Sequence, residues 1–459
     1  MCDKDVYIKQ LEQENAELKK RIDKLERLVK QNSNNSSKPP SSDFGRNSRT
    51  NKPVKKNKRK RKQGAQKGHK PNLKQLVPKE HVTKFVNLIP EQCTCGCNQL
   101  EDCIEPPIRS QTFDLPTITP EVTEHVQHYR RCKRCGETVY KPLADHIKRN
   151  VFGPGVLAIV GVMTGMLNTS KRKAVEVINE VFHVPISLGG LSNCEAKLSE
   201  AMASPYNDLM DYVQSQDEAH ADESGWRRGN RQKGWLWAMC CTGAAFFMIQ
   251  ANRTQAAARE LLGDFSGILH SDRWSGYNIY NHIRQICWAH LKRDFQAISE
   301  AKGKLGGIGV QLIESERLIF YDYHRARDGT ILWETFQSRM VPLQSEVERL
   351  LQRGAKCAGP LAGKCREIWK HREHLWTFVS HWDVSPTNNA AERIVRQAVL
   401  WRKMSFGTQS KRGARYAERM LSVCSTCRLQ GRSIITYIHQ ACQAHVHNRP
   451  APTLRPSEV

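Results

Sequence analysis

Apolar residues recur every three or four positions from residue 6 to residue 30, the period of a helix with one sticky face. In heptad terms Ile8, Asn15, Ile22 and Val29 fall at a, and Leu11, Leu18 and Leu25 fall at d. Isoleucine at a with leucine at d favours a parallel dimer, and one Asn at a fixes register at some cost in stability. Glu14 and Arg21 can face Lys19 and Glu26 of a second copy. Residues 1–30 are therefore expected to be a coiled-coil dimerisation helix; the alternative is an amphipathic helix packed on its own chain.

The periodicity then stops. Residues 31–43 are rich in Asn, Ser and Pro, and residues 44–79 carry 14 basic residues and no acidic one. Such a block repels itself and has nothing apolar to bury, so 31–79 is expected to be a disordered basic arm. Residues 80–149 read as short strands around cysteines. Residues 150–215 read as a helical domain, with helices over about 155–167, 171–182 and 190–214. The break at His183-Val184-Pro185-Ile186-Ser187 resembles the turn of a helix-turn-helix; plain helical packing is the alternative reading.

From residue 217 the pattern changes to strand, strand, strand, helix, strand, helix, the second strand being almost wholly apolar. His220-Ala221-Asp222 ends a first strand. A second spans 235–242 and a third 245–250. Thr254 is placed to cap a helix reaching Leu262, 267–272 forms a fourth strand ending in Asp272, and 285–290 a fifth. Three meandering strands, a helix and a further strand is the order of the ribonuclease-H-like fold. Residues 303–380 read as a helical insertion, with Glu314-Ser315-Glu316-Arg317 and Glu346-Val347-Glu348-Arg349 on solvent faces. The expected fold class is multidomain α+β: coiled coil (1–30), basic arm (31–79), zinc-binding β module (80–149), helical domain (150–215), catalytic core (216–302 and 381–445) interrupted by the insertion, and a tail (446–459).

Composition narrows the function. The 459 residues carry a net charge of +25 and are 39% hydrophobic, too apolar for a wholly disordered chain. The longest apolar stretch, 151–167, is 17 residues long and holds Pro154 and four glycines, short of the roughly 20 residues a bilayer span needs. The charged N-terminus shows no signal core, so a cytoplasmic, nucleoid-associated location is expected. A polyanion is the expected partner. The arm residues Lys55, Lys56, Lys58, Arg59, Lys60, Arg61 and Lys62 are candidate phosphate contacts. So are Arg402, Lys403, Lys411 and Arg412, in a stretch from Glu392 to Arg432 with ten basic and two acidic residues.

The 16 cysteines of such a chain are thiols or metal ligands. Cys132-Lys133-Arg134-Cys135-Gly136 is a good zinc knuckle. Its partner is irregular: Cys93, Cys95 and Cys97 alternate, so the ligands are taken as Cys93, Cys95, Cys132 and Cys135, with Cys97 as an alternative and Cys103 as a spare. Cys424 and Cys427 are expected in a helix as core thiols. Cys287 and His290 are expected to be a buried thiol and a packing histidine.

Two divalent ions about 4 Å apart need oxygen ligands from several elements. Asp222 and Asp272 end strands that neighbour each other in this fold. Only one of Asp222 and Glu223 can be a ligand, because strand neighbours face opposite ways. Glu392 and Glu418 are the candidate third acids. Glu392 sits near the start of a helix that Thr387 or Asn388 can cap, and Asn388 shares its face at i, i+4. Taken singly, Asp272 can cap the following turn and Glu392 can pair with Arg396.

These residues, with the Asn35-Ser36-Ser37-Lys38-Pro39-Pro40 run, Gly276-Tyr277, Cys287-Trp288-Ala289-His290-Leu291 and Asn388-Asn389-Ala390-Ala391-Glu392-Arg393, give the chain its likeness. It resembles bacterial transposases of the insertion-sequence-66 type, of the Asp-Asp-Glu class. It departs from them in Ser224, Thr387 and the irregular first knuckle. The resemblance implies a catalytic triad of Asp222, Asp272 and Glu392 that holds two Mg²⁺ (Mn²⁺ can substitute), beside a structural Zn²⁺. It implies cleavage of double-stranded DNA at element ends and joining of the 3′-hydroxyls to a target. It also implies a homodimer or higher oligomer, with accessory proteins of the same element as candidate partners, and no membrane. The competing readings are a structure-specific nuclease of the same fold and a catalytically idle DNA-binding protein.

Overall fold

A computed structural model describes residues 3–36, 76–101, 104, 106–144, 147, 151–229 and 232–456. The chain divides into two units, Arg49–Thr119 and the remainder. The basic block Lys55 to Lys62 and Cys103 lie outside the described residues.

In the smaller unit the described residues hold little regular structure. A single 3-10 turn spans Lys79–His81. Gln111 closes a local clasp, accepting from the Val77 N–H at 2.8 Å and donating to its carbonyl at 2.9 Å. Phe85, Leu88, Ile108 and Leu115 are exposed, so nothing apolar is gathered that would stabilise strands. The strands expected over 80–149 reduce to one hairpin in the other unit, β1 (Tyr129–Arg131) and β2 (Thr138–Tyr140), around the second cysteine pair.

The larger unit opens with α1 (Asp3–Lys30). Leu11, Leu18, Ile22, Leu25 and Val29 along it are exposed. The Asn-rich segment after it is not a plain solvated linker. Asn35 is buried, and its amide donates to Lys30 O at 3.1 Å and to Glu300 Oε2 at 2.7 Å.

Four helices follow: α2 (Pro154–Gly161), α3 (Lys171–Phe182), α4 (Leu188–Ala201) and α5 (Ala203–Gln214). The last two were expected as one. Pro205 splits them, since proline has no N–H to donate and its ring clashes with the carbonyl four residues back. Between α3 and α4 the Asn179 amide holds the turn, with Ile186 N–H donating to its Oδ1 at 2.9 Å. These helices form no separate body. Leu157, Ile178, Leu198 and Leu209 share one continuous core with the sheet that follows.

That sheet has five strands in the order β5-β4-β3-β6-β7. β3 (Glu218–Arg228), β4 (Gln232–Cys241) and β5 (Ala244–Gln250) are antiparallel; β6 (Ile268–Ser271) and β7 (Arg284–Ile286) run parallel to β3. β4 is apolar on both faces because helices cover both. Thr254 caps α6 (Gln255–Leu262), accepting from the Ala257 N–H at 3.4 Å. β3 does not stop at Asp222 but continues to Arg228. β7 ends earlier than expected, and Trp288 and His290 open a helix, α7 (Trp288–Ser299).

Residues 304–380 are helical: α8 (Lys304–Arg327), α9 (Trp333–Ala355), α10 (Ala362–Lys370) and α11 (Thr377–Ser380). They build a second core with α7, centred on Trp288, Phe295, Phe336 and Phe378. Glu314 pairs in the open with Arg317, but Glu316 is buried and receives Lys292 Nζ at 2.8 Å. The chain returns through α12 (Asn389–Ser405), α13 (Lys411–Leu429) and α14 (Ile434–Val446). Cys424 and Cys427 are buried core thiols, as expected.

Candidate active site

The parallel β3–β6 pair sets the site. Its last partners are His220 and His270, because β6 ends at Ser271. Asp222 and Asp272 thus each lie two residues past the final rung, where pairing has ceased and the edge of β3 opens. Ligand sites in α/β sheets favour such strand ends. Asp272 also holds its own turn: the Trp274 N–H donates to its Oδ1 at 2.8 Å.

Glu392 arrives in the first turn of α12. The helix is placed by Asn388, wholly buried, but not through a cap. Its amide donates to Ala221 O at 2.7 Å and its Oδ1 meets His220 Nδ1 at 3.1 Å. The Asn388 N–H donates to Cys287 Sγ at 3.1 Å. Asn388 was expected to steady Glu392 directly; instead it fastens the helix start to the strand that carries Asp222.

A cavity of about 740 Å³ opens at this junction, walled by Asp222, Asp272 and Glu392 together with Glu223, His290 and Lys403. The three acids predicted to act together line this one space. Glu418 does not. It lines a different cavity of about 870 Å³, accepts the Ile249 N–H at 2.7 Å and pairs with Arg415 at 3.2 Å, which ties α13 to β5.

Asp222 and Glu223 are strand neighbours, and both border this cavity. Burial, then Glu223 and Asp272, with Glu392 adding, push the Asp222 carboxyl well above the ordinary carboxylate range. Glu223 is already engaged. It accepts from Tyr277 Oη at 2.8 Å and from the Arg253 guanidinium, which lies 4.4 Å from the Trp274 ring and 5.1 Å from Trp235. Burial and Asp272 raise Glu223 to about 7 against these bonds. Arg253 also reaches within 3.8 Å of Asp272 Oδ2. Nothing in the sequence pattern marked Arg253; only its position between two tryptophans does.

His290 was expected to be packing. Its Nδ1 lies 3.6 Å from Glu392 Oε1, and both atoms are buried without a hydrogen-bond partner. Cys287 Sγ completes a trio whose ligand atoms lie within 4.8 Å of one another. Converging carboxylates that repel one another, beside an orphaned carboxylate oxygen, form a donor set suited to hard divalent ions.

The cationic candidates divide. Arg402 donates to Gly225 O and, at 3.3 Å, to Ser224 Oγ, so its guanidinium holds α12 against β3 rather than standing free. Lys403 is exposed on the cavity wall, and Lys411 and Arg412 are exposed at the start of α13.

The two cysteine turns share a local form. Cys93 N–H donates to Cys97 O at 2.8 Å, Gly96 N–H to Cys93 O at 2.8 Å, and Gly96 sits at φ +89°. In the other, Cys132 N–H donates to Glu137 O at 2.7 Å, Gly136 N–H to Cys132 O at 2.9 Å, and Gly136 sits at φ +77°. The Cys95 backbone N–H lowers the Cys93 thiol; those of Cys135 and Arg134 lower Cys132. Cys97 differs, its sulfur taking the Gln99 N–H at 3.4 Å. All five thiols are exposed. Thiols biased toward thiolate in glycine-ended turns are what a zinc ion binds.

Comparison with known proteins gives the class. Residues 135–416 match the model of the transposase IS66 family, and residues 90–136 match the zinc-finger binding domain of transposase IS66. Residues 3–75 match a family of unknown function. The chain belongs to the IS66 transposase family, and it carries that family's zinc-finger domain. It is 25% identical over 383 residues to the uncharacterized protein y4hP of Sinorhizobium fredii, spanning 74% of this chain and 68% of that one. It is 24% identical over 250 residues to the uncharacterized protein y4qI of the same organism, 49% of this chain and 46% of the relative. Among the described residues no helix is long and apolar enough to cross a membrane.

Proposed function

We propose that the chain cleaves DNA at the ends of a mobile element and joins the exposed 3′-hydroxyls to target DNA, using Asp222, Asp272 and Glu392 in a ribonuclease-H-like core. One observation carries this reading: three carboxylates from β3, from the end of β6 and from the first turn of α12 line one cavity. The strand order, three antiparallel strands and then two parallel to the first, supports the fold assignment.

Asp222 and Asp272 hold the shared face of the metal site, and Glu392 closes it from the helix. These three carboxylates would hold Mg²⁺, which would supply activation of a water or hydroxyl and stabilisation of the leaving oxygen. Water and the 3′-hydroxyl are the nucleophiles, so no covalent protein–DNA intermediate is needed. Lys403 and Arg396 on the cavity wall hold the phosphate backbone. Arg253 pairs with Glu223 and so engages the fourth acid of the cavity.

The zinc ligands are Cys93, Cys95, Cys132 and Cys135, with Cys97 as the alternative in the first turn. The basic arm supplies sequence-independent phosphate contacts. The exposed apolar stripe of α1 pairs two copies, so that two element ends are held together. The DNA substrate places the protein at the nucleoid.

The test uses element-end duplexes and Mg²⁺. Asp222→Asn is expected to abolish both cleavage and joining of pre-cleaved ends while leaving duplex binding intact. Full cleavage by that variant would refute the assignment. Cleavage by the wild type without joining would make the protein a nuclease.

A further inference from the structure

A second cluster lies behind the carboxylate site, and the DNA chemistry does not use it. His220 on β3 and His270 on β6 are register partners whose rings stack with centroids 4.0 Å apart. Glu218, two residues before His220 on the same face of β3, reaches both. Its Oε1 lies 2.8 Å from His270 Nε2 and 3.7 Å from His220 Nε2. The ligand atoms of all three lie within 4.8 Å of one another.

Two features make this more than a hydrogen-bonded triad. His270 is wholly buried, and neither ring nitrogen has a hydrogen-bond partner, although Glu218 Oε1 lies 2.8 Å from Nε2. A buried imidazole left unpaired is costly. The separations also fit a coordination shell. Ligands bound tetrahedrally at about 2.0–2.1 Å lie roughly 3.3 Å from one another, and 2.8 and 3.7 Å bracket that edge.

His220 is oriented as a ligand. Its Nδ1 meets Asn388 Oδ1 at 3.1 Å, which places the proton on Nδ1 and turns the Nε2 lone pair toward Glu218. An amide or carboxylate behind the second nitrogen is the usual support of a metal-bound histidine. Glu218 is 31% exposed and His220 13%, so an ion has a path from solvent.

We propose that Glu218, His220 and His270 bind a divalent transition-metal ion with solvent at the fourth position, zinc being the best match. Two imidazoles and one carboxylate suit zinc, whereas the all-oxygen carboxylate site suits Mg²⁺. The ion would pin β3 to β6 one rung before Asp222 and Asp272, and through Asn388 would also fix the start of α12. It is distinct from the thiolate zinc of the N-terminal module.

Zinc content per chain and zinc X-ray absorption of the purified full-length protein test this. The wild type should show imidazole scattering beside the sulfur shell. Glu218→Gln and His220→Gln should each lose one equivalent of zinc and the imidazole signal, and keep the sulfur shell. Unchanged zinc in both variants overturns the proposal. If both variants misfold, the wild-type spectrum decides: a shell of sulfur alone also overturns it. Neither readout depends on DNA cleavage, so failure of the transposition reading leaves this test intact.

Discussion

Asn388 and His220 meet through a 3.1 Å hydrogen bond that joins the start of the Glu392 helix to the strand carrying Asp222. With the 2.7 Å bond to Ala221 O, one buried amide sets the distance between two members of the proposed triad.

Asn388→Ala leaves the Ala221 carbonyl buried without its donor, a cost of about 1–3 kcal/mol. It also frees the first turn of α12. Cleavage should fall at least tenfold, with duplex binding unchanged. Thermal unfolding and single-turnover cleavage check this; a stability loss without a rate loss would reduce Asn388 to a purely structural role.

Arg253 pairs with Glu223 between Trp235 and Trp274. Glu223 is buried and Arg253 half-buried, so losing the arginine leaves a buried carboxyl without its donor, a cost of about 1–3 kcal/mol. Arg253→Ala should therefore destabilise strongly. Arg253→Lys should recover the charge but not the stacked, forked contact, and fall between the two. Chemical denaturation of the three proteins gives the order, and equal stability of Lys and Arg at this position would contradict it.

Glu418 gives a pH dependence with a definite sign. Burial raises its carboxyl above the ordinary value, opposed by the Ile249 N–H and Arg415. The folded state therefore holds its proton more tightly than the unfolded chain. Its contribution is complete below the unfolded value and is lost as pH rises through the folded one. Glu418→Gln keeps an acceptor for the Ile249 N–H and removes the titration. Between about pH 4 and pH 8 its unfolding free energy should decline less than that of the wild type. Parallel slopes in urea titrations would show that Glu418 does not contribute.

The exposed stripe of α1 makes association testable. Leu18 and Leu25 occupy d positions and are 55% exposed. Leu18→Lys with Leu25→Lys should shift sedimentation from dimer toward monomer and weaken paired-end complexes, without changing the fold of residues 151–456. An unaltered sedimentation coefficient would assign association to another surface.

Gly407 follows Phe406 at φ +58° and itself sits at φ +90° against the Arg227 carbonyl. An added Cβ meets that oxygen. Gly407→Ala should cost about 1–3 kcal/mol and loosen the loop that holds Trp226 through Thr408. A thermal shift smaller than a degree would contradict this.

Local periodicity carried much of this architecture. The helix before residue 30, the strands after 217, the Thr254 cap and the core thiols of α13 could all be read from neighbours a few positions apart. The acids Asp222, Asp272 and Glu392 could be named as candidates from their motifs and from the resemblance that those motifs carry. Choices between distant partners could not be read this way. Asp222 and Asp272 are 50 residues apart and Asp272 and Glu392 120. Strand registry and helix docking decided that Glu418 faces another cavity, that Asn388 grips β3 instead of capping its helix, that Arg402 is spent on the Gly225 carbonyl, and that Arg253 pairs with Glu223. The same registry stacked His220 on His270. Side-chain period is fixed by the backbone a residue belongs to; the partner a polar group finds is fixed by which other backbone lands beside it, and only tertiary packing sets that.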